Sequence, residues 1–160
     1  MTSAGAAISP ATAVDVPAIV DLIGRVYAEY GFVFDPRVEV PDLFAFDAHY
    51  TPPRGAFFVV RQGDTIVGSV GVERVDADTA ELHRLYLDAE RRGRGTGRAL
   101  VEVALAWCHA GGFSRMILWS DTRFDRAHRL YLKMGFHQSG ERTLPDDLND
   151  TREYGFARAV

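Results

Sequence analysis

A turn with three glycines is the part of the sequence best suited to bind a ligand. Gly93, Gly95 and Gly97 follow a run of strand-forming residues and precede an apolar stripe at helical spacing. Glycines let successive backbone N–H groups point at one spot, and the start of a helix adds unpaired N–H donors. Four arginines flank these glycines and add positive charge: Arg91, Arg92, Arg94 and Arg98. The turn therefore predicts a site for phosphate or pyrophosphate.

A simpler explanation of this turn is that its glycines only allow a tight connection between a strand and a helix. The flanking arginines argue against that explanation, because like charges repel each other unless an anion lies between them. We expect a small anion to bind at this one place, although the whole chain is acidic, with a net charge of −4.

Dinucleotides are one class of ligand for such a turn. A dinucleotide fold requires Gly-x-Gly-x-x-Gly at the opening of a βαβ unit. Here Gly93 and Gly95 are followed by Arg98 at the position of the third glycine, where a bulky side chain opposes close packing of helix on strand. Asp121, which follows the next predicted strand, could act as the acid that binds a ribose. A dinucleotide-binding protein therefore stays open as a weaker alternative.

The elements around the turn predict a mixed α/β domain with helices packed on one twisted sheet. Helical spacing predicts helices from Asp15 to Gly31, from Gly97 to Gly111 and from Phe124 to Met134, and a shorter one from Pro41 to Tyr50. Strands are expected at Ala56 to Arg61, Thr65 to Val75, Ala80 to Leu87, Arg115 to Trp119, Phe136 to Ser139 and Glu153 to Ala159. The first three of these strands predict an antiparallel meander.

Composition limits the function further. The 160 residues are expected to form a single domain, 1–160, and the acidic balance argues against nucleic acid as a partner. No apolar run reaches the roughly 20 residues that span a bilayer, so no membrane association is expected. Met1 to Ala7 carry no Lys or Arg, so we expect no secretory signal and a cytoplasmic location. Cys108 is the single cysteine, which excludes an internal disulfide, and the histidines show no spacing typical of a metal site.

Two segments resemble the motifs of the GNAT superfamily of N-acetyltransferases. The first, Arg92 to Gly97, fits the family's Arg/Gln-x-x-Gly-x-Gly/Ala loop for acyl-CoA and lies between the fourth strand and the next helix. The second, Ala127 to Phe136, is similar to the family's Ala-x-x-x-Tyr-x-x-x-Gly-Phe segment, and Ile8 to Leu22 is similar to its first strand and helix. The resemblance implies a central, twisted, mostly antiparallel sheet flanked by helices, with an acyl-CoA cleft between the fourth and fifth strands.

The resemblance also implies an activity, which is direct transfer of an acetyl group from acetyl-CoA to the amine of a small molecule or amino acid. The loop backbone would hold the pyrophosphate, and strand backbone at Leu85 and Leu87 would pair with the pantetheine arm. The Leu85 N–H would then be available to the thioester oxygen. The expected acetyl-CoA contacts are Leu85, Leu87, Arg92, Gly93, Arg94, Gly95, Thr96, Gly97 and Arg98.

The acceptor amine must lose a proton before it attacks, because an alkyl ammonium titrates near pH 10. Strand alternation predicts that Glu81 and His83 lie on one face with Leu85 and Leu87. Glu81 matches the position of the base in some relatives, and an imidazole titrates closer to neutral pH. Glu81, His83 or an ordered water could take the proton, and either side chain could instead be structural.

Tyr131 matches the family tyrosine that protonates the leaving thiolate. A phenol titrates slightly above a thiol, so it can donate a hydrogen bond and pass a proton as the thiolate forms. Because Tyr131 also lies on an apolar helical stripe, the alternative interpretation is that it is a core residue with no catalytic role.

The acceptor site is expected in the least periodic parts of the chain. Glu29 and Glu153 are candidates for attracting a cationic amine, and Arg123 could pair with a substrate carboxylate. Many relatives also dimerise through edge strands, so a homodimer is possible.

Phe124 departs from the family pattern, since many relatives carry an asparagine there that contacts the pantetheine arm. Ser120 or Thr122 could substitute for it. This departure keeps open a second alternative, a catalytically weak sensor of acyl-CoA on the same fold.

Overall fold

The computed structural model describes residues 7–160, which form helices packed on one seven-stranded sheet. The helices are α1 (Val16–Glu29), α2 (Pro36–Glu39), α3 (Phe46–His49), α4 (Thr96–Ala110) and α5 (Asp125–Lys133). The strands are β1 (Ile8–Pro10), β2 (Gly55–Gln62), β3 (Thr65–Arg74), β4 (Thr79–Leu87), β5 (Arg115–Asp121), β6 (His137–Thr143) and β7 (Arg152–Ala159). Residues 1–6, which carry most of the segment used to predict that there is no secretory signal, lie outside the described residues.

The sheet has the order β1-β2-β3-β4-β5-β7-β6, and every neighbouring pair is antiparallel except β4 and β5. This order confirms the predicted meander and the mixed α/β fold. The parallel pair is short, because β4 and β5 are in register only from Thr79 to Glu81 on β4. Beyond Glu81 the two strands separate, and the sheet opens at its centre.

Two hydrophobic cores lie on opposite faces of the sheet. Alternate residues of β2 divide between them, with Phe57 and Val59 in the core beneath α1, and Ala56 and Val60 in the core beneath α4 and α5. Within residues 7–160, no helix combines the length and the apolar composition needed to cross a bilayer.

The predicted helix from Pro41 to Tyr50 is helical in the structure but consists of two short pieces, separated at Ala45 with φ −129° and ψ 42°. A short α2 ends at Glu39, a 3₁₀ helix runs from Pro41 to Ala45, and α3 follows. Pro41 has no N–H to continue the α2 hydrogen-bond ladder, and it holds Val40 outside the helical region with φ −133° and ψ 54°.

A β-bulge interrupts β4 where it pairs with β3. Ser69 pairs with Tyr86 and Gly71 pairs with His83, so β4 carries one residue more than β3 between these two pairs. Arg84 lies inside this interval with a φ of 52°, in the left-handed region that residues with a side chain seldom adopt.

The bulge reverses the alternation of side chains along β4. Glu81 and His83 face the α1 side of the sheet, whereas Leu85 packs with Leu82 in the core beneath α4. Leu87, two residues after Leu85, lies on that same face. The prediction that all four site residues of β4 share one face is therefore wrong, because it assumed a regular strand with a period of two.

Candidate active site

The gap between β4 and β5 opens into a cavity of about 610 Å³. Its walls come from the end of β4, the glycine turn, the start of α4, one side of α5 and the end of α1. Seven of the nine predicted acetyl-CoA contacts lie on this wall: Leu85, Leu87, Arg92, Gly93, Gly95, Gly97 and Arg98. Arg94 and Thr96 do not line it.

The glycine turn has the curled backbone that its sequence predicts. Gly93 and Gly95 have φ of 78° and 81°, and Gly95 is the N-cap residue of α4. The first hydrogen bond of α4 runs from the N–H of Ala99 to the carbonyl of Gly95. The N–H groups of the preceding residues have no partner in the helix, so the turn keeps donors and a partial positive charge at the cavity.

Arg92 links the glycine turn to α1 and to the end of β4. Its guanidinium donates to both carboxylate oxygens of Glu29, at 2.6 and 2.9 Å, and to the carbonyl of Leu87 at 2.9 Å. The pair ties the turn to the end of α1. Glu29, predicted as an acceptor ligand, thus lies at the glycine turn and does not line the second cavity described below.

Three cations on α5 line the same cavity and were missed by the sequence analysis. Arg126, Arg129 and Lys133 follow one another at helical spacing and face the glycine turn across the cavity. None of the ion pairs found among residues 7–160 involves these three side chains. Their spacing of three and four residues is the signal that could have revealed this basic face.

The bulged strand leaves backbone groups free for a ligand. The N–H of Asp88 donates to the carbonyl of Val67 on β3 at 2.9 Å. Since hydrogen-bonded positions alternate along an antiparallel strand, Leu87 directs its backbone groups away from β3 and into the gap. Within the bulge, the Arg84 carbonyl accepts from Ser69 on β3 at 2.7 Å, so the Leu85 N–H of the same trans peptide points away from β3.

A second cavity of about 240 Å³ continues from the first. The two share four lining residues, which are Leu85, Tyr86, Phe124 and Ala127. Glu81, His83 and Tyr131 all line the second cavity. The structure therefore brings the three predicted catalytic side chains together beside these shared residues, where the two cavities meet; we call this place the junction.

Tyr131 presents its hydroxyl to this second cavity from the buried side of α5. The residue is 4% exposed, and its ring packs on Phe136 and Phe156. Burial, assisted by the nearby Tyr86, raises the pKa of the Tyr131 phenol well above its usual value. The phenol therefore stays protonated at neutral pH, so its O–H is available there as a hydrogen-bond or proton donor.

Glu81 and His83 contact each other on the opposite wall. Nε2 of His83 lies 3.3 Å from a carboxylate oxygen of Glu81, and both side chains are about one quarter exposed. Both side chains face the second cavity, and either of them could accept a proton from a bound substrate.

Of the remaining predicted acceptor ligands, one lines the second cavity and one does not. Glu153 lines the second cavity and is paired with Arg142 at 2.8 Å. Arg123 does not line it, because its guanidinium binds both oxygens of Asp121 and lies 4.1 Å above the ring of Phe32.

Comparison with known proteins decides the family. Residues 21–136 match the acetyltransferase (GNAT) family. The chain belongs to this family. It is 32% identical to the uncharacterized N-acetyltransferase YjgM of Escherichia coli strain K12 over 127 residues, which is 76% of each chain. In relatives from Rattus norvegicus, Danio rerio and Homo sapiens, the aligned region covers only 39% to 49% of the relative's length.

Solved structures share this GNAT fold over nearly the whole chain. An acetyltransferase of the GNAT family from Staphylococcus aureus Mu50 superposes with a TM-score of 0.83 at 21% identity, covering 96% of this chain and 98% of that one. An aminoglycoside 6′-N-acetyltransferase complexed with coenzyme A superposes with a TM-score of 0.71 at 18% identity, covering 96% of each. The predicted fold and family are confirmed, and the enzyme class is that of the GNAT acyltransferases.

The dinucleotide alternative is not favoured for a GNAT protein of this geometry. β4, the strand before the glycine turn, pairs antiparallel with β3, and Asp121 is neutralised by Arg123. Within residues 7–160, no group of three His, Cys, Asp or Glu could hold a metal ion.

Phe124 takes the position where many GNAT relatives have asparagine, and it becomes part of an aromatic cluster. Its ring centroid lies 4.9 Å from Tyr30, 6.1 Å from Phe32 and 6.5 Å from Tyr86. Phe124 lines both cavities where they meet. Ser120, one candidate to replace the asparagine, lines the second cavity and bonds the buried His128 at 3.0 Å.

Proposed function

We propose that this protein is an N-acetyltransferase that moves an acetyl group from acetyl-CoA directly to a small amine. The observation that carries the proposal is the continuity of the two cavities at Leu85, with the glycine turn at one end and Tyr131 at the other. The larger cavity suits an extended phosphate-bearing ligand, and the smaller one suits a small acceptor.

The residues around the larger cavity fit acetyl-CoA. Backbone N–H groups of the turn around Gly95 would hold the diphosphate, and the cations of α5 would offset its charge. The free backbone at Leu85 and Leu87 would pair with the amide-containing arm as an added strand. Acetyl-CoA supplies the thioester that is attacked by the amine.

Different residues at the junction would carry out the separate steps of the reaction. Glu81 or His83 takes one proton from the acceptor ammonium and leaves an amine with a free electron pair. The Leu85 N–H donates to the thioester oxygen as negative charge develops there. As the C–N bond forms and the C–S bond breaks, Tyr131 gives its proton to the sulfur and recovers one from the new amide nitrogen.

The charges of the second cavity favour a cationic acceptor over one with a carboxylate. Arg84 and Arg142 are its only arginines within the described residues, and each already pairs with a carboxylate. One oxygen of Glu39 is buried without a hydrogen-bond partner in the described structure. Five acidic side chains line the wall: Glu39, Glu81, Asp121, Asp147 and Glu153. The net negative wall attracts ammonium groups and repels carboxylates.

Lysine and cadaverine test this preference, because the two molecules differ only in one carboxylate. We expect cadaverine to be acetylated with a kcat/KM at least about tenfold higher, as the carboxylate of lysine finds no free cation. The measurement is thiol release from acetyl-CoA with each amine. A higher kcat/KM for lysine would contradict the proposed preference, and no turnover with any amine despite tight CoA binding would favour the sensor alternative.

The basic face of α5 is expected to contribute strongly to cofactor affinity. Replacing Arg126, Arg129 and Lys133 together by glutamine should raise the Kd of CoA by about 10- to 100-fold and weaken its dependence on salt. Isothermal titration at two salt concentrations measures both effects. Arg115→Gln is the control, because Arg115 is exposed at the start of β5 and lines neither cavity. An unchanged Kd in the triple variant would remove α5 from the cofactor site.

A further inference from the structure

A chain of partly and fully buried polar side chains runs from His83 to the 3₁₀ helix Pro41–Ala45. Nδ1 of His83 lies 3.2 Å from the hydroxyl of Tyr50, and this hydroxyl donates to Oδ2 of Asp42 at 2.5 Å. Nε and Nη2 of Arg84 bind the two oxygens of the same carboxylate. Tyr50, in the middle of the chain, is 4% exposed and is therefore shielded from water.

The charges of this chain fix the direction of its hydrogen bonds. Burial works to raise the pKa of Asp42, but the hydrogen bonds and charge of Arg84 outweigh it and leave that pKa lowered. Asp42 is therefore ionised and can only accept. Burial, reinforced by the charge of Asp42, raises the pKa of Tyr50. Tyr50 thus keeps its one proton and uses it toward Asp42.

Every group near Nδ1 of His83 is consequently an acceptor. The oxygen of Tyr50 has no second proton to offer, so it can only accept from Nδ1–H. Oε1 of Glu73 lies 3.8 Å from Nδ1, and the Glu73 carboxylate already accepts from Arg54 at 2.9 Å and contacts His49 at 3.0 Å. The surroundings therefore place a proton on Nδ1.

The other ring nitrogen faces the acceptor cavity. Nε2 lies 3.3 Å from the carboxylate of Glu81, and both residues line that cavity. With the proton on Nδ1, neutral His83 presents a lone pair at Nε2 beside a second acceptor. An ammonium group in the cavity, with up to three N–H bonds, could donate to both acceptors at once.

We propose that Tyr50 and Asp42 are positioning residues that hold His83 in its Nδ1–H form, so that Nε2 of His83 is the base and Glu81 orients the ammonium. This inference rests on the proposed acetyltransferase function. In the step itself, one N–H bond of the ammonium breaks, its electron pair stays on the acceptor nitrogen, and the proton forms a bond to Nε2. The resulting imidazolium donates from Nδ1 to Tyr50 and from Nε2 to Glu81, which stabilises it.

The tautomer can be observed without any turnover. In ¹⁵N-labelled protein, two-bond ¹H–¹⁵N correlation spectra at high pH should show neutral His83 protonated at Nδ1. In Tyr50→Phe, which keeps the ring packing on Phe57 and removes the hydroxyl, the Nε2–H form should gain population. A neutral His83 protonated at Nε2 in the unaltered protein would overturn the proposal, even if the enzyme acetylates amines efficiently.

Kinetics then test whether the two residues act through His83. We expect Tyr50→Phe to lower kcat about tenfold, to leave the KM of acetyl-CoA unchanged and to move the acid limb of the pH–rate profile to lower pH. Asp42→Asn should act in the same direction and serves as the second variant. The groups facing His83 that could also move this limb are Glu81 and Arg84 on β4, Glu73 on β3, Tyr50 just after α3, and Asp42.

A double-variant cycle provides the decisive comparison. In a His83→Gln background, Tyr50→Phe should cause no further loss of kcat, because the imidazole that Tyr50 positions is absent. His49→Gln is the matched control, since His49 also contacts Glu73 but lines neither cavity. An equal loss of kcat with and without His83 would overturn the positioning role. Failure of the acetyltransferase function is distinguishable, because it would abolish turnover in every variant and leave the tautomer result standing.

Discussion

Replacing Tyr131 by phenylalanine is expected to lower kcat by about 100-fold or more while the Kd of CoA stays within about twofold. The substitution removes only the hydroxyl that faces the second cavity, and the ring keeps its packing on Phe136 and Phe156. The leaving thiolate then has no proton donor at the junction. Steady-state thiol release gives kcat, and titration calorimetry gives the Kd.

Tyr154→Phe is the matched control for this loss. Tyr154 is a half-buried tyrosine on β7 that packs against His128 and lines neither cavity, so its variant should keep full activity. A Tyr131→Phe variant as active as this control would remove Tyr131 from the mechanism and leave it as a core residue.

The pKa of Tyr131 sets the alkaline side of the pH dependence. Burial raises this pKa, so the phenol keeps its proton above the pH at which an exposed tyrosine, titrating near pH 10, would lose it. Activity that depends on the protonated phenol is therefore expected to persist up to at least about pH 10. A fall in kcat below pH 9 that disappears in Tyr131→Phe would contradict this assignment.

Replacing Gly95 by aspartate should raise the Kd of CoA at least about 100-fold. The carboxylate would stand at the N-terminus of α4, where it would compete for the N–H groups and repel a diphosphate. The fold should survive, because aspartate is a favoured N-cap residue and tolerates the positive φ better than most side chains. A Cβ at Gly95 meets no atom within 4 Å.

Gly63→Asp separates the effect on the ligand from the effect on the backbone. Gly63 has a φ of 60° and also meets no neighbouring atom, but it lies in the turn between β2 and β3 and lines neither cavity. This control should lose similar stability in thermal unfolding and bind CoA normally. Normal CoA binding by Gly95→Asp itself would mean that the turn holds no phosphate.

The parts of the site that depend on local sequence could be predicted. Gly93 and Gly95 adopt the positive φ that only glycine adopts readily, and the helix begins directly after them as its apolar stripe indicates. Tyr131 lies on a regular helix whose period places it beneath the sheet and beside the junction. Local turn and helix geometry follow from residue type and spacing, so these positions could be predicted without the fold.

The parts that depend on contacts distant in sequence could not. The bulge at Arg84 leaves no mark in residue type, because it puts an arginine in a conformation that usually favours glycine. Asp42, 42 residues earlier, holds that arginine through an ion pair that strand periodicity does not reveal. The partners of Arg92 and Arg123, which are Glu29 and Asp121, likewise depend on the tertiary fold. Dimerisation through edge strands stays a prediction.

A crystal structure with CoA bound tests the central claim most directly. We expect the diphosphate to lie within hydrogen-bond distance of the N–H groups that follow Gly95, and the sulfur to lie between Leu85 and Tyr131, where the two cavities meet. A diphosphate bound elsewhere, with those N–H groups occupied by carbonyl oxygens of the protein, would contradict it.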